Sequence, residues 1–460
     1  MSEPANDTMT RTVGPVTMVD DGYSRAFDAV SSGRSDKEPG RVGALRRDAM
    51  SRFGDLGFPT RKLEEWRSTD IRAIADTSFS FEPLSECVVE ADCERFRYPN
   101  THELVFVNGV YREKLSRLAA LPEGVVVSTL EQAWNEHPEL VEPHLGRHAE
   151  FENHAFVALN TALHESGVFV FLPRNVVVET PIHVLHLGRG GDAPVASFPR
   201  NLFVAGENSQ GRIIEQFATA GDAETAGRHF ACPVTEVVLA PSAVVDHYKL
   251  QRESTDAFHM ATFQIYLERS SNFSSHSISW GGGLVRNDVN AVLDGEGCEA
   301  TLNGLYMVEG KQLVDNHMRV DHAAPHCDSH ELFKGILEGR SRAVFNGRIF
   351  VHKGAQKTDA KQTNRNLLLS PTALVNSNPQ LEIFADDVRC THGSTVGQLD
   401  DLAVFYLRSR GIGEEAARSL LTYAFCADIV QRIKDQSVRK DLEEFLFRRL
   451  PRGEVVRQAV

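Results

Sequence analysis

Between about residues 155 and 395 the chain consists of a long series of short apolar runs, and this stretch constrains the fold most. Runs such as VFVFLP, IHVLHL, EVVLA and FQIYLE are rich in Val, Ile, Phe and Tyr, and turn residues separate them at roughly regular intervals. No amphipathic helical pattern longer than about 12 residues interrupts the series. Because a doubly wound sheet needs helical crossovers, that class is excluded, and a sandwich, barrel, propeller or β-solenoid remains.

An internal echo favours the solenoid. The segment ATLNGLYMV, Ala300–Val308, recurs as AVFNGRIFV, Ala343–Val351, at an offset of 43 residues. Solenoid coils commonly contain about 20 residues or more, so we interpret this offset as two coils. The shared Asn-Gly pair is typical of a corner between strands, although a hairpin would also produce it. The preferred prediction is a mostly β fold built on a right-handed parallel β-helix.

The flanking regions differ in character from this β stretch. Residues 1–40 are rich in Ser, Asp, Gly and Pro, and we expect them to be disordered. Residues 41–150 mix helical and strand patterns and predict a small helical or mixed domain, followed by the β-helix over 151–396. Residues 397–460 carry two helical stripes, which are too small for a core of their own and must pack on the β region or on another protein.

Composition excludes several classes of protein. The 460 residues contain 49 Lys and Arg against 63 Asp and Glu, and the net charge of −14 argues against a nucleic-acid binder. The sequence has no run of 18 apolar residues, so we expect no membrane-spanning helix. The N-terminus lacks the pattern of a secretory signal. The 7 cysteines are far apart and include no CxxC pair, so we expect free thiols in a reducing cytoplasm.

The stretch DDVRCTHGSTVG places Cys390 and His392 two residues apart in a strand-like segment. Alternate residues of a strand point to the same face, so this thiol and imidazole can converge on one ligand. Three interpretations remain open from the residues alone: an ordinary packed pair, half of a metal or sulfur site, or a cysteine nucleophile with its base.

A second group of metal-binding side chains lies in DNHMRVDHAAPHCDSHELF. Imidazole and thiolate are common ligands of Zn, Fe and Cu, so the group is a candidate metal site. Residues with this spacing would lie on one face of a helix but not of a strand, and Pro325 disfavours a helix. The alternative is a set of histidines on β-coil surfaces or in polar ladders. The candidate residues are His317, His322, His326, Cys327 and His330.

The segment Asn378–Phe425 closely resembles the signature of the SufB/SufD family of iron–sulfur cluster assembly proteins. The runs FNGRIFVHKGAQKTDAKQTNRNLLLS, RKLEEWRSTDI and FVALNTALHESGVFVFLP fit the same family, so the resemblance covers about residues 45–450. SufB-type chains carry His-Glu-Ala where this chain has His392-Gly393-Ser394. That difference, together with the EEW-x-x-TD segment, makes the chain similar to the SufD type.

The resemblance implies a right-handed parallel β-helix flanked by helical regions and two protein partners. SufB would pair with it through the β-helix, and the ATPase SufC would bind the C-terminal helices; in isolation the chain would be able to form a homodimer. No phosphate loop is present, because GENSQGRI lacks the required Lys and Ser or Thr, which agrees with ATP hydrolysis by another chain. The residues implied in SufC binding are Tyr406, Arg408, Arg410, Gly411, Ala416, Leu420 and Phe425.

The resemblance also implies a role for the thiol and imidazole pair. A nascent iron–sulfur cluster would form transiently at the interface with SufB, with His392 as a ligand and Cys390 as a secondary contact, and the isolated chain would hold no permanent cofactor. The expected function is therefore that of a non-catalytic scaffold subunit. Two alternatives are a β-helix enzyme acting on carbohydrate, which would need a convergent set of carboxylates, and a purely structural partner of SufB and SufC.

Overall fold

The computed structural model describes residues 21–34, 40–81, 88–222 and 226–460. The helices within these ranges are α1 Asp21–Arg34, α2 Gly40–Leu56, α3 Arg72–Ala75, α4 Glu90–Glu94, α5 Leu130–Glu136, α6 Pro138–Val141, α7 Ala155–Leu163, α8 Asp401–Ser409, α9 Glu414–Val430, α10 Gln436–Arg449 and α11 Gly453–Ala459. The strands are β1 His102–Val107, β2 Val110–Tyr111, β3 Val126–Thr129, β4 Val168–Leu172, β5 Ile182–Gly188, β6 Val195–Ser197, β7 Arg200–Ala205, β8 Gln210–Thr219, β9 His229–Ala231, β10 Val234–Leu239, β11 Val244–Arg252, β12 Phe258–Leu267, β13 Asn272–Ser279, β14 Leu284–Leu293, β15 Glu299–Val308, β16 Leu313–His322, β17 Asp328–Leu337, β18 Arg342–Val351, β19 Asp359–Leu368, β20 Leu374–Ile383 and β21 Arg389–Gly397.

Most successive strands alternate between two sheets. The ten-stranded sheet begins at β2 and ends at β21, and from β11 onwards it contains the odd-numbered strands. The eleven-stranded sheet contains the even-numbered strands of the same region, such as β12, β14 and β16. Strand β14 pairs in parallel with β12, and β15 pairs in parallel with β13, so the chain returns to each sheet once per coil. The result is a parallel β-solenoid of about 8 turns with helical regions at both ends, and the predicted solenoid is confirmed.

The register fixes the length of one coil. Glu299 of β15 pairs with Asp328 of β17, and Leu313 of β16 pairs with Arg342 of β18, so the coil in this part of the solenoid has 29 residues. The two echoing segments lie in β15 and β18, which belong to opposite sheets. Their offset is about one and a half coils, and the interpretation of 43 residues as two coils is wrong.

The Asn-Gly pairs in these segments lie within strands, so their interpretation as corners is also wrong. A Cβ at Gly304 would lie 2.3 Å from the Phe333 ring, and a Cβ at Gly347 would lie 2.4 Å from Nε2 of Gln362. Each glycine therefore makes room for a large side chain inside the solenoid. The repeated Asn-Gly pair therefore marks two positions where a glycine accommodates a large side chain from the neighbouring coil or the opposite sheet.

In seven successive coils, one residue forms the corner where the chain passes from the eleven-stranded to the ten-stranded sheet. It adopts a left-handed backbone conformation, with φ between 57° and 75°. Its N–H donates a hydrogen bond to a carbonyl of the next coil, as from Ser270 to Glu296 over 2.9 Å and from His326 to Gln356 over 2.9 Å. These corner residues are Asn175, Asn208, Ser242, Ser270, Gly297, His326 and Lys357.

The C-terminal helices cover the outer face of the ten-stranded sheet. The ring of Phe445 in α10 stacks on Trp280 with centroids 4.1 Å apart, and Asp441 accepts hydrogen bonds from Tyr98 and Arg252, each over 2.6 Å. Apolar residues of α9 and α10 and outward residues of β11, β13 and β15 form one buried cluster. The helical stripes seen in the sequence are therefore used for packing on the solenoid.

The N-terminal region covers the outer face of the eleven-stranded sheet. The guanidinium of Arg286 in β14 lies 3.8 Å from the centroid of the Trp66 ring and donates a hydrogen bond to the Glu65 carbonyl over 2.7 Å. The Thr69 hydroxyl donates to Asp315 of β16 over 2.5 Å. The EEW-x-x-TD segment therefore attaches the N-terminal region to the sheet through buried polar contacts.

Two observations bear on the predicted boundaries. Residues 21–34, within the segment expected to be disordered, form α1, where Tyr23 packs on Phe53; residues 1–20 and 35–39 lie outside the described residues. The strands β1 and β3, within the predicted N-terminal domain, pair with β5 and β4 of the two long sheets. In the ranges that the structure describes, no helix combines the length and apolar character needed to cross a membrane.

Candidate functional site

Cys390 and His392 lie on β21, the last strand of the ten-stranded sheet. In the register with β19, Cys390 pairs with Ala360 and His392 pairs with Gln362. Ala360 and Gln362 are both buried inside the solenoid. Because in-register neighbours of a parallel sheet point to the same side, Cys390 and His392 belong to the inward row. The two side chains share one face, as the strand alternation predicted.

The strands β20 and β21 form the last coil, which we call the terminal coil. Among the described strands, β20 pairs only with β18 and β21 only with β19, so one edge of each is unpaired. His392 is exposed even though its row points inward, because no further coil covers it. The terminal coil also exposes four large apolar side chains, an arrangement typical of a surface that a partner covers. They are Leu374, Ile383, Phe384 and Val396.

A buried polar row continues below His392. Gln362 lies one coil deeper and Glu331 two coils deeper in the same row. Nε2 of Gln362 donates a hydrogen bond to Glu331 over 2.6 Å, and the amide reaches across the interior above Gly347. Burial raises the pKa of Glu331 to about 7. An ionisable carboxyl group therefore lies inside the solenoid, behind the exposed imidazole.

A second hydrogen-bonded chain joins the terminal coil to the interior. Ser394 of β21 donates to Ser377 of β20 over 2.7 Å, and Ser377 donates to Asn364 over 2.9 Å. Asn366 and Tyr306 continue the chain, with the Tyr306 hydroxyl 2.5 Å from Oδ1 of Asn366. Ser394 thus holds the two strands of the terminal coil together, next to His392.

The environment of Cys390 is apolar. The side chain is half-buried and packs with Ile349, Val351 and Ala360 at the end of the solenoid. Burial raises the pKa of the Cys390 thiol above its usual value. The thiol form is therefore favoured at neutral pH, and the arrangement does not resemble the electropositive site of a cysteine nucleophile.

The structure does not bring the second candidate group together. The His322 ring points inward and lies 2.9 Å from the Ser329 hydroxyl, whereas the His317 ring is on the outer face, 3.0 Å from Asp315. His326 is an exposed corner residue, and His330 is on an outward row of β17. Cys327 is buried beneath the corner, in contact with Cys298. Across the described ranges no three His, Cys, Asp or Glu side chains are grouped for metal binding.

The residues implied in SufC binding fall into two groups. Tyr406, Arg408, Arg410 and Gly411 are exposed on α8 and the turn that follows it. In contrast, Ala416 of α9 is buried, and Leu420 and Phe425 are half-buried against the solenoid. The second group therefore supports α9 in its place and leaves little surface for a partner.

Sequence reasoning missed the two most exposed apolar residues of α8. Leu402 is 77% exposed and Phe405 is 68% exposed, next to Tyr406 at 57%. The three side chains have i, i+3 and i+4 spacing, which places them on one face of the helix. This periodicity in DLAVFYLRS was the signal that could have identified them. Sequence reasoning also missed Gln362, Glu331 and Gly347, which form the interior below His392.

The fold defines a β-solenoid protein in which a separate helical region covers the outer face of each sheet. The model described as "SUF system FeS cluster assembly, SufBD core domain" matches residues 186–425, and "SufBD protein N-terminal region" matches residues 19–184. The chain therefore belongs to the SufBD family of iron–sulfur cluster assembly proteins. The family resemblance seen in the sequence is confirmed.

Individual relatives support the SufD type. The chain is 31% identical to the iron–sulfur cluster assembly protein SufD of Escherichia coli, over 86% of this chain and 90% of that protein. It is 26% identical to SufD of Bacillus subtilis, over 95% of this chain and 100% of that protein. A SufBD family protein of Synechocystis is 33% identical, over 87% and 89% of the two chains.

Proposed function

We propose that this chain is the SufD-type subunit of a SufB–SufC–SufD complex, in which His392 binds iron of a nascent cluster. The observation that carries the proposal is the position of His392: it lies in the inward row of the terminal coil, yet it is exposed because the solenoid ends there. A neutral imidazole is a common iron ligand. The cluster is the cargo of the complex and not a resident cofactor of this chain.

The incomplete ligand set supports a role for SufB. Cys390 and His392 supply at most two ligands, which is half of a tetrahedral site. The unpaired edges of β20 and β21 and their exposed apolar side chains provide the surface on which SufB would dock. In this arrangement the remaining ligands come from SufB across the interface.

The two side chains are assigned unequal roles. His392 is exposed, so a ring nitrogen is accessible to a metal. Cys390 is half-buried in an apolar cluster, and its thiol must lose a proton before it can bind iron. We therefore assign His392 as the ligand and Cys390 as a secondary contact for iron or sulfide.

The C-terminal helices are proposed to dock SufC. The apolar face of α8, formed by Leu402, Phe405 and Tyr406, is exposed. The neighbouring helix α9 is attached to the solenoid, because Lys334 of β17 lies 2.7 Å from Asp428 and donates to the Phe425 carbonyl over 3.1 Å. Movement of α8 and α9 caused by ATP hydrolysis in SufC would thus be transmitted to the ten-stranded sheet, whose last strand, β21, belongs to the terminal coil.

The decisive experiment compares variants of this chain within the complete complex. His392→Ala is coexpressed with SufB and SufC, and iron and sulfide bound per complex are measured after anaerobic reconstitution, together with the visible absorption of the cluster. Thr391→Ala is the matched control, because Thr391 is exposed on the same strand but belongs to the opposite row. Cys390→Ser is tested in parallel.

The proposal predicts that His392→Ala forms the complex but loses most of the reconstituted cluster, whereas Thr391→Ala retains it. Cys390→Ser should show an intermediate loss. Unchanged cluster formation in His392→Ala would contradict the ligand role and favour the alternative of a purely structural partner. Failure of the wild-type chain to copurify with SufB and SufC would contradict the complex itself.

A further inference from the structure

A column of small buried side chains runs along the solenoid, directly after six of the seven corner residues. Each member follows a left-handed residue, and each is at most 1% exposed. Most members carry a hydroxyl or a methyl group, but two successive coils carry thiols at this position. The column consists of Ser209, Ala243, Ser271, Cys298, Cys327 and Thr358.

The two thiols are in contact. The N–H of Asp328 donates to the Cys298 carbonyl over 2.9 Å, which extends the register of β15 and β17 to Cys298 and Cys327. Both sulfur atoms also lie near the Gly295 carbonyl oxygen, at 2.9 Å for Cys298 and 3.2 Å for Cys327. The side chains therefore point to the same place between two coils.

The spacing suits a covalent link. Neighbouring strands are about 4.7 to 4.9 Å apart, and a disulfide needs a Cα separation of about 4.4 to 6.8 Å. A hydrogen bond from the Cys327 thiol lowers the pKa of Cys298 to about 7, which favours a nucleophilic thiolate. The pKa of Cys327 is raised, because its thiol is hydrogen-bonded to Cys298 and is buried, so Cys298 is the member of the pair that ionises first. Burial also raises the pKa of Cys232 and Cys426, and neither of them has a thiol that lowers its pKa.

The pair also lies close to the surface. Gly297 and His326, the residues immediately before the two cysteines, are exposed corner residues. A small oxidant would reach the sulfur atoms when one of these corners opens. We propose that Cys298 and Cys327 are an oxidation site, at which a hydroperoxide forms a disulfide that links two successive coils.

The chemistry balances with a hydroperoxide as the oxidant. The Cys298 thiolate attacks one oxygen of the peroxide, the O–O bond breaks, and Cys298 becomes a sulfenic acid while the other oxygen leaves as water or an alcohol. The Cys327 sulfur then attacks the Cys298 sulfur, and the sulfenic oxygen leaves as water. The two thiols are oxidised by two electrons, and the peroxide is reduced.

The test uses the full chain treated with hydrogen peroxide, followed by alkylation of the remaining thiols and peptide mapping by mass spectrometry. The expected product is a linked pair of peptides that contain Cys298 and Cys327, with a mass lower by two hydrogens and reversible by dithiothreitol. Cys298→Ser and Cys327→Ser should each abolish it, whereas Cys426→Ser should retain it. The column already contains Ser209 and Ser271, so serine fits the fold at these positions.

A second measurement separates a specific link from general oxidation. The oxidised wild-type chain should unfold at a higher temperature than the reduced chain, and this increase should be absent in Cys298→Ser. The proposal is overturned if the half-buried Cys390 is oxidised while Cys298 and Cys327 remain fully alkylated. It is equally overturned if the linked peptides form but Cys298→Ser shows the same gain in thermal stability.

Discussion

Gln362 donates a hydrogen bond to Glu331 over 2.6 Å, inside the solenoid and directly below the exposed His392. No cation among the described residues neutralises this carboxyl group, and the inward residues beside it, Leu302 and Phe333, are uncharged. Oε1 of Glu331 is buried without a hydrogen-bond partner. Burial therefore raises the pKa of Glu331 to about 7.

This carboxyl group makes stability depend on pH. Its pKa is about 7 in the folded chain against 4.5 in the unfolded chain, so the folded state holds the proton more tightly. The free energy of unfolding should fall by roughly 3 kcal/mol as the pH rises from 4.5 to 7, because the unfolded chain releases this proton over that range while the buried group keeps it. Glu331→Gln should remove this decrease and stabilise the chain at pH 8.

Chemical denaturation at several pH values measures the effect. Glu338→Gln is the control, because Glu338 is exposed at the end of the same strand and should leave the pH profile unchanged. A Glu331→Gln variant that still loses stability over this pH range, in parallel with the wild-type chain, would contradict the assignment.

Gly347→Ala should disturb the interior below His392. The added Cβ would lie 2.4 Å from Nε2 of Gln362, so the amide must move and its hydrogen bond to Glu331 is lost. We expect a loss of about 1 to 3 kcal/mol in the free energy of unfolding. Gly354→Ala is the matched control, because its Cβ would meet nothing within 4 Å, and equal losses in the two variants would refute the explanation.

Trp66→Ala should detach the N-terminal region from the solenoid. Trp66 is 7% exposed and packs against the Arg286 guanidinium, so its removal leaves a cavity beside a buried charge. The expected cost is about 3 to 5 kcal/mol, measured by thermal or chemical unfolding. Leu63→Ala, at a position 37% exposed, should cost much less; a similar loss would show that Trp66 has no special role.

The proposed docking of SufC on α8 predicts that Phe405→Glu weakens this binding without affecting the fold. The side chain is 68% exposed, so a charge is tolerated in the free chain but would be buried in an interface centred on α8. We expect about tenfold weaker binding or more, measured by calorimetry with purified SufC. Glu415→Gln on α9 is the control at an exposed position, and unchanged binding in Phe405→Glu would place the SufC surface elsewhere.

The class of fold was predictable from the sequence because strand-forming runs without helices leave few architectures. The length of the coil was not, since the echo of Ala300–Val308 at Ala343–Val351 joins opposite sheets and equals one and a half coils. Local propensity made Asn-Gly resemble a corner, whereas the corners use residues such as His326 in a left-handed conformation. Hydrogen bonds between coils hold that conformation, and they are invisible in a short stretch of sequence.

The candidate site was predictable only in its local part. The same-face arrangement of Cys390 and His392 follows from strand alternation and from nothing else. Glu331 and Gln362 were not predictable, because their position below His392 depends on the number of residues in two intervening coils. The histidines from His317 to His330 illustrate the same limit, because they are close in sequence but lie on different faces of the solenoid.

In a solenoid each coil contacts only its neighbours, and the terminal coil has a neighbour on one side. Its backbone amides should therefore exchange with solvent faster than those of the coils in the middle, because opening it breaks one set of contacts instead of two. Docking of a partner on β20 and β21 would add the missing neighbour. Partner binding would then be recorded as slower exchange along the strand that carries His392, so that assembly of the complex and ordering of the site are one event.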